Sequence, residues 1–308
     1  MFPSAKSFSP AIIYRKLPAP RLSLRRREAL TGLAFAAIPL AGMAVFFVAP
    51  FIVSVWLTFR SGLGGAYFVG LKNYRDLLAS EAFRLAVGNT ARFIGVGAPL
   101  LMALSLLVAL ALMTGLRAKG FFRAGLMLPM VIPSASVILF FKVIFEQNGT
   151  INNILAAHGM AAADFLNSGR AFYILLLLYV WKNFGYDIIL FMAGLSQIPA
   201  DLYESAQIDG AGPLRRFFRI TLPLLTPTAF FVFVMAVIQA FKAFREIFAL
   251  SGTFPDRSIY MLQHFMNNNF QNLNYQRLGA AAFLTFIVIF AIVGALFLLR
   301  RRAGDYEL

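Results

Sequence analysis

The chain has 308 residues, 60% of them hydrophobic and only 13% charged. A soluble domain carries about 25% charged residues, so this composition excludes an ordinary soluble fold and fits a polytopic membrane protein. The net charge of +15 would suit a nucleic-acid binder, but the basic residues sit in short clusters between apolar runs, where they act as topology signals.

There is no cysteine, which excludes a disulfide framework and thiolate metal sites. The two histidines, His158 and His264, lie far apart in sequence, which argues against a zinc site. No G-x-x-x-x-G-K-[ST] phosphate loop occurs, so the chain is expected not to hydrolyse ATP itself. No Ser/His/Asp grouping or paired-acid site suggests an intramembrane enzyme, and no catalytic residue is expected.

In chain order, a basic lead (Arg15, Lys16, Arg21, Arg25, Arg26, Arg27) precedes an uncharged run from Ala29 to Phe59. That run is much longer than the roughly 7–15 residues of a signal-peptide core, so it reads as a retained first span, about 31–58. A helix needs about 20 apolar residues to cross the hydrocarbon. Span 2 lies within Phe93–Leu116. Span 3 runs from near Phe122 to about Phe145 with Pro129 and Pro133 early in it. Span 4 is about 171–197, with Lys182 and Asp187 inside. Span 5 runs from near Leu222 to about Phe248, with Lys242, Arg245 and Glu246 toward its end. Span 6 is Leu278–Leu299, closed by Arg300, Arg301 and Arg302.

Six spans place both termini on one side. The two tails and the loops near 113–123 and 197–222 hold sixteen Lys and Arg, against seven in the other three loops. The positive-inside rule then puts both termini and the 197–222 loop in the cytoplasm. The expected organisation is a basic cytoplasmic tail over 1–28, an all-α six-span domain over 29–303 and a short tail over 304–308.

The loop at about 197–223 carries the sharpest signal. Asp201 with Glu204 three residues later predicts a capping-box-like helix start, with a short helix from Leu202 to about Ile208. Gly210, Gly212 and Pro213 break it, and a second, basic helix over Leu214–Ile220 leads to Leu222-Pro223 at the mouth of span 5. Glu204-Ser205-Ala206, then Gly210, Ile220 and Leu222-Pro223 at their spacing, resemble the EAA signature of permease subunits of ABC importers. Ser205 stands where the family usually has alanine. Asp209 with Gly210 and Ala211, and Ser196-Gln197-Ile198-Pro199, are also similar to the family.

The resemblance extends from about residue 30 to the C-terminus. Gly70-Leu71-Lys72-Asn73-Tyr74 resembles the segment after span 1 of carbohydrate-importer permeases, and Leu128-Pro129 with Pro133 resembles their span 3. Ser251-Gly252-Thr253-Phe254-Pro255 departs from the family's TGGGP segment. The resemblance implies an ABC type I importer core of six spans in a bacterial cytoplasmic (inner) membrane. It also implies a loop that docks as a coupling helix onto two ATP-binding cassette partner subunits, which bind ATP and Mg. A second homologous permease subunit, an extracytoplasmic solute-binding protein and a sugar substrate complete the implied assembly. The chain itself is expected to need no cofactor, and no nucleic acid is expected to bind.

Charge inside a bilayer usually faces a cavity or a partner. Tyr179, Lys182 and Asn183 share one face of span 4 by the i, i+3, i+4 rule. Ala236, Gln239, Ala240 and Ala243 form a stripe on span 5. The resemblance implies that these positions and Ser134 contact sugar. The same residues also fit plain helix packing, and Lys182 could instead pair with Asp187. Lys142, Lys182, Lys242 and Arg245 together would suit an acidic saccharide, or Lys242 and Arg245 could pair with Glu246. A stand-alone secondary solute transporter is the alternative reading, and it leaves the 197–223 loop without a task.

Overall fold

A computed structural model describes residues 21–113 and 119–304. Expectations placed on the tail before Arg21, on Arg117 and on residues 305–308 lie outside the described residues. The chain divides into an N-terminal unit ending at Ser54 and a second unit from Val55 onward.

In the N-terminal unit, helix α1 (Arg21–Met43) passes through a π-helical turn over Ala44–Val48 into α2 (Ala49–Thr58). The amide of Ala49 bonds to the carbonyl of Ala44, an i→i+5 register. Pro50 follows, and its missing N–H and bulky ring disturb the ordinary ladder one turn back. Phe35, Ile38 and Phe46 are large apolar side chains on a helical run, Thr31–Thr58, long and apolar enough to cross a membrane.

The second unit takes up the end of α2, followed by a two-stranded hairpin, β1 (Arg60–Ser61) and β2 (Tyr67–Phe68), and by α3 (Lys72–Ala79). The side chain of Asn73 donates to the carbonyls of Thr58 and Arg60, both at 2.7 Å, and Tyr74 Oη lies 2.6 Å from Thr58 Oγ1. The Gly70–Tyr74 motif thus ties off the open carbonyls at the end of α2, which a helix terminus needs.

The membrane core consists of α4 (Glu81–Met113), α5 (Lys119–Val131), α6 (Ser134–Phe145), α7 (Thr150–Ala157) and α8 (Ala171–Leu195), then, after the loop, α11 (Leu222–Lys242) and α12 (Phe244–Ser251). The loop holds α9 (Ala200–Ile208) and α10 (Pro213–Arg216). A short 3-10 turn, Arg257–Ile259, precedes α13 (Leu262–Gln271) and α14 (Tyr275–Gly304). Among the described residues, five helices are long and apolar enough to cross a membrane: Thr31–Thr58, Glu81–Met113, Ala171–Leu195, Pro213–Ser251 and Tyr275–Ala295. A bent pair, Gly120–Val131 with Ser134–Ala157, makes a sixth if it counts as one span.

Spans 2 and 3 differ from the sequence expectation. Span 2 begins at Glu81, well before Phe93, because the charged first turns (Glu81, Arg84, Arg92) hide a continuing helix from an apolar reading. Span 3 is not straight but bends by 92° between Val131 and Ser134. Pro133 has no N–H to continue α5 and pushes Ile132 out of helical geometry.

Helix α8 is the hub, with α4, α5 and α11 packed around it. Phe93 of α4 meets Phe172 and Tyr179 of α8 edge-on, at centroid separations of 6.3 and 5.2 Å, a preferred aromatic geometry. Toward the loop end, Leu112, Ile188, Phe191 and Leu225 form a second cluster. Gly185 lets α5 cross closely, since a Cβ there would overlap the carbonyl oxygen of Leu126.

Candidate functional site

Helix α9 starts from Pro199 as its N-cap, and no side-chain capping bond forms. The expected Asp201–Glu204 capping box is therefore absent. Pro199 starts the helix about half a turn earlier, so Asp201 lies inside the first turn, where its charge favours the helix N-terminus. At the far end Gly210 adopts φ +77°. The amide of Ala211 donates to the carbonyl of Ala206 at 2.8 Å, and that of Gly210 to Gln207 at 3.1 Å. These are the two bonds of a Schellman motif, and they need a left-handed residue at the position of Gly210. Gly210 is therefore required for its backbone conformation; a Cβ there would meet nothing within 4 Å.

The break leads through Gly212 to Pro213 at the start of α10, then into a π-helical turn over Phe217–Thr221 that runs without interruption into α11. The expected basic helix is thus the first part of a single run, Pro213–Ser251. Pro223 follows this π turn by two residues, as Pro50 follows the first one. Glu204, Ser205, Asp209 and Gly210 are exposed, as are Leu222 and Pro223, while Ala206 and Ile220 are half-buried. Ile208 and Leu214 are 87% and 73% exposed on the same loop. Large apolar side chains this open beside charged ones form a surface suited to a partner.

Tyr203 Oη lies 2.9 Å from Thr221 Oγ1, which ties α9 to the base of α11. Sequence reasoning missed this link. Thr221 is one position from the Ile220 of the signature, and its burial (4% exposed) is a tertiary property.

A second site lies in the membrane core, a small cavity of about 40 Å³ between α8 and the α11–α12 run. Tyr179, Lys182 and Asn183 line it from α8, and Gln239, Lys242 and Ala243 from the opposite side. Glu246 completes the wall. Five of the eight residues expected on a solute path therefore meet at one cavity. Ser134, at the start of α6, touches its edge by bonding to both Lys182 and Glu246. Ala236 and Ala240 do not face it: both are buried in the core with Phe93, and the Ala236 carbonyl accepts the Tyr179 hydroxyl at 2.7 Å.

Lys182 is paired with Glu246, not with Asp187. Its ammonium also donates to Ser134 Oγ at 2.6 Å, and Ser134 in turn donates to Glu246 at 3.3 Å. Neither Lys242 nor Arg245 takes Glu246, contrary to the other pairing considered. Asp187 is buried, and its Oδ2 has no hydrogen-bond partner among the described residues. Lys142 and Arg245 do not line the cavity, so of the four bases considered as a path only Lys182 and Lys242 do.

The model of the family described as "Binding-protein-dependent transport system inner membrane component" matches residues 95–303. The chain is 31% identical over 268 residues to the multiple sugar-binding transport system permease protein MsmF of Streptococcus mutans, covering 84% of this chain and 91% of that protein. Its fold is similar to that of a chain of a bacterial ABC transporter involved in the import of the acidic polysaccharide alginate, with TM-score 0.80, 23% identity, and coverage of 92% of this chain and 99% of the other. A similar match, TM-score 0.75 and 23% identity over 91% and 96% of the two chains, is to a bacterial alginate ABC transporter in complex with an alginate pentasaccharide-bound periplasmic protein. With two thirds of its residues in the family match and a relative 31% identical along most of its length, the chain belongs to the family of binding-protein-dependent transport system inner membrane components.

Proposed function

We propose that this chain forms part of the transmembrane pathway of an ATP-driven, binding-protein-dependent ABC importer for a sugar or oligosaccharide, acidic sugars included. It sits in the bacterial inner membrane with both termini cytoplasmic. Its 197–223 loop, with Glu204, Ser205, Ala206, Asp209, Gly210, Ile220, Leu222 and Pro223, seats on an ATP-hydrolysing partner, one of two that bind ATP and Mg. A second permease subunit completes the pore, and an extracytoplasmic binding protein delivers the solute. The 29–303 segment acts as the permease domain. The observation that carries the reading is one continuous helical run. Pro213–Ser251 begins in the exposed loop, beside the Schellman turn, and ends in the wall of the cavity. A movement imposed on the loop is thereby delivered to the residues around the solute.

The chemistry of the cavity agrees. Gln239 can donate to and accept from hydroxyls, and the oxygen of Asn183 can accept. Tyr179 supplies an apolar ring face. MsmF and the alginate transporters, by their names, handle sugars or a polysaccharide, and the second of the two transporter structures includes a periplasmic protein. The test is uptake of labelled oligosaccharides into proteoliposomes containing the assembled proteins. The reading expects uptake that requires both ATP and the binding protein. Uptake driven by an ion gradient without ATP would replace it with the secondary-transporter reading.

A further inference from the structure

The cavity wall contains two lysines, Lys182 and Lys242, against one carboxylate, Glu246. Glu246 is committed to Lys182, with side chains 11% and 22% exposed. Among the described residues Lys242 has no ion-pair partner, although it stands four residues before Glu246 across the α11–α12 junction. The pair also does mechanical work. Ser134, Lys182 and Glu246 come from α6, α8 and α12, so one cluster pins three helices at the edge of the cavity.

We propose that Glu246 is a resident counter-ion and that the solute carries an anionic group, a carboxylate or a phosphate monoester on a sugar or polyol, which takes its place on Lys182. This rests on the importer reading above and assigns the charge class of its substrate. The exchange swaps one carboxylate-like oxygen for another on the same ammonium, and the displaced Glu246 passes to Lys242, one helical turn away. Neither charge is left bare in a poorly solvated site, the outcome that makes breaking a buried pair costly. A neutral sugar offers Lys182 only uncharged hydroxyl acceptors, too weak to replace a carboxylate, and leaves the pair closed. When the exchange occurs, α12 is released from α6 and α8, so an occupied cavity differs mechanically from an empty one.

The sequence supplies a reporter. Trp181 adjoins Lys182 and stacks near Phe140, with centroids 6.4 Å apart, and Trp56 is the other tryptophan of the chain. Full-length protein carrying Trp56→Phe, purified with its partner subunits into nanodiscs, is titrated while tryptophan emission is followed. The probes are trigalacturonate, glucose 6-phosphate and their neutral counterparts, trigalacturonate methyl ester and glucose. An anionic probe is expected to change the emission with a half-saturation at least tenfold lower than its neutral counterpart. The uronide and phosphate arms separate the two sources of charge. Lys182→Met should raise that half-saturation tenfold or more, and Glu246→Gln should lower it severalfold by removing the competing carboxylate. Equal titration by neutral and anionic probes, or no response to any probe, overturns the proposal, and neither comparison requires a variant of the Lys182–Glu246 pair to fold. ATP hydrolysis stimulated by the binding protein, measured on the same nanodiscs, reports on the importer reading separately. Its loss would count against that reading, whereas intact hydrolysis without charge discrimination would count only against the counter-ion.

Discussion

Substituting Gly210 separates the conformation of the loop from its contacts. A left-handed backbone costs an ordinary L-residue roughly 1–2 kcal/mol, while asparagine and aspartate tolerate it better. A Cβ at Gly210 meets nothing within 4 Å, so no steric cost inside the chain is added to the backbone cost. One to two kcal/mol corresponds to a factor of about 5–30 in the ratio of formed to unformed turn. Uptake should therefore fall in the order Gly210→Asn, Gly210→Ala, Gly210→Val, with the valine variant at least about fivefold below wild type. Gly210→Asp has tolerable backbone geometry but adds a charge to the face proposed to seat on the ATPase, and it should lose transport while still inserting. The assay is ATP-dependent uptake set against the amount of inserted protein. Wild-type uptake by the valine or aspartate variant would refute the coupling role of this turn.

Other expectations follow from single contacts. Gly185→Ala places a methyl group on the Leu126 backbone carbonyl, so α5 and α8 must part. Overpacking of this kind costs roughly 1–3 kcal/mol, visible as a lower Tm in detergent, and an unchanged Tm would contradict the close crossing. Tyr203→Phe removes the bond to Thr221, worth about 1 kcal/mol net. Thr221→Val should have the same effect on solute moved per ATP, and the double variant should add little more; additive losses would mean the two groups act separately. His264 lies outside the spans, fully buried against Phe244 and Tyr260. Its Nδ1 accepts from the Met261 amide, and its Nε2 has no hydrogen-bond partner among the described residues. Burial lowers its pKa from 6.5 to about 4. Between those values the unfolded chain binds a proton that the folded chain refuses, so stability falls as pH drops from about 6.5 and levels off below about 4. The full loss is on the order of 3 kcal/mol. Thermal unfolding at pH 7.5 and pH 5 should show this slope, and His264→Gln should flatten it; a slope unchanged in the variant would assign it elsewhere.

Much of the architecture is legible because bilayer thickness turns apolar run length into spans. The loop is legible because Gly210, Gly212 and Pro213 have few conformational alternatives. What was not legible depends on register or on distant partners. Lys182 and Asp187 are five residues apart, about 140° around a helix, so they point to different faces, and the partner of Lys182 lies on α12, 64 residues away. The alanine stripe of span 5 is regular in sequence, yet Ala236 and Ala240 meet the ring cluster of Phe93 and Tyr179 while Gln239 and Ala243 meet the cavity. Pro133 announces a break in span 3 but not its 92° angle, which depends on what α5 and α6 each pack against. The two π turns before Pro50 and Pro223 have a local cause in the prolines that follow them.

If the loop at 197–223 is a handle for a motor on another chain, the motor should travel with it. The most direct measurement is a mild-detergent purification of the tagged protein from its own host, with the co-purifying chains identified. An ATP-binding cassette subunit and a second multi-span permease are expected, with the ATPase lost from the Gly210→Asp preparation. A chain that purifies alone and moves solute in proteoliposomes without ATP would contradict it.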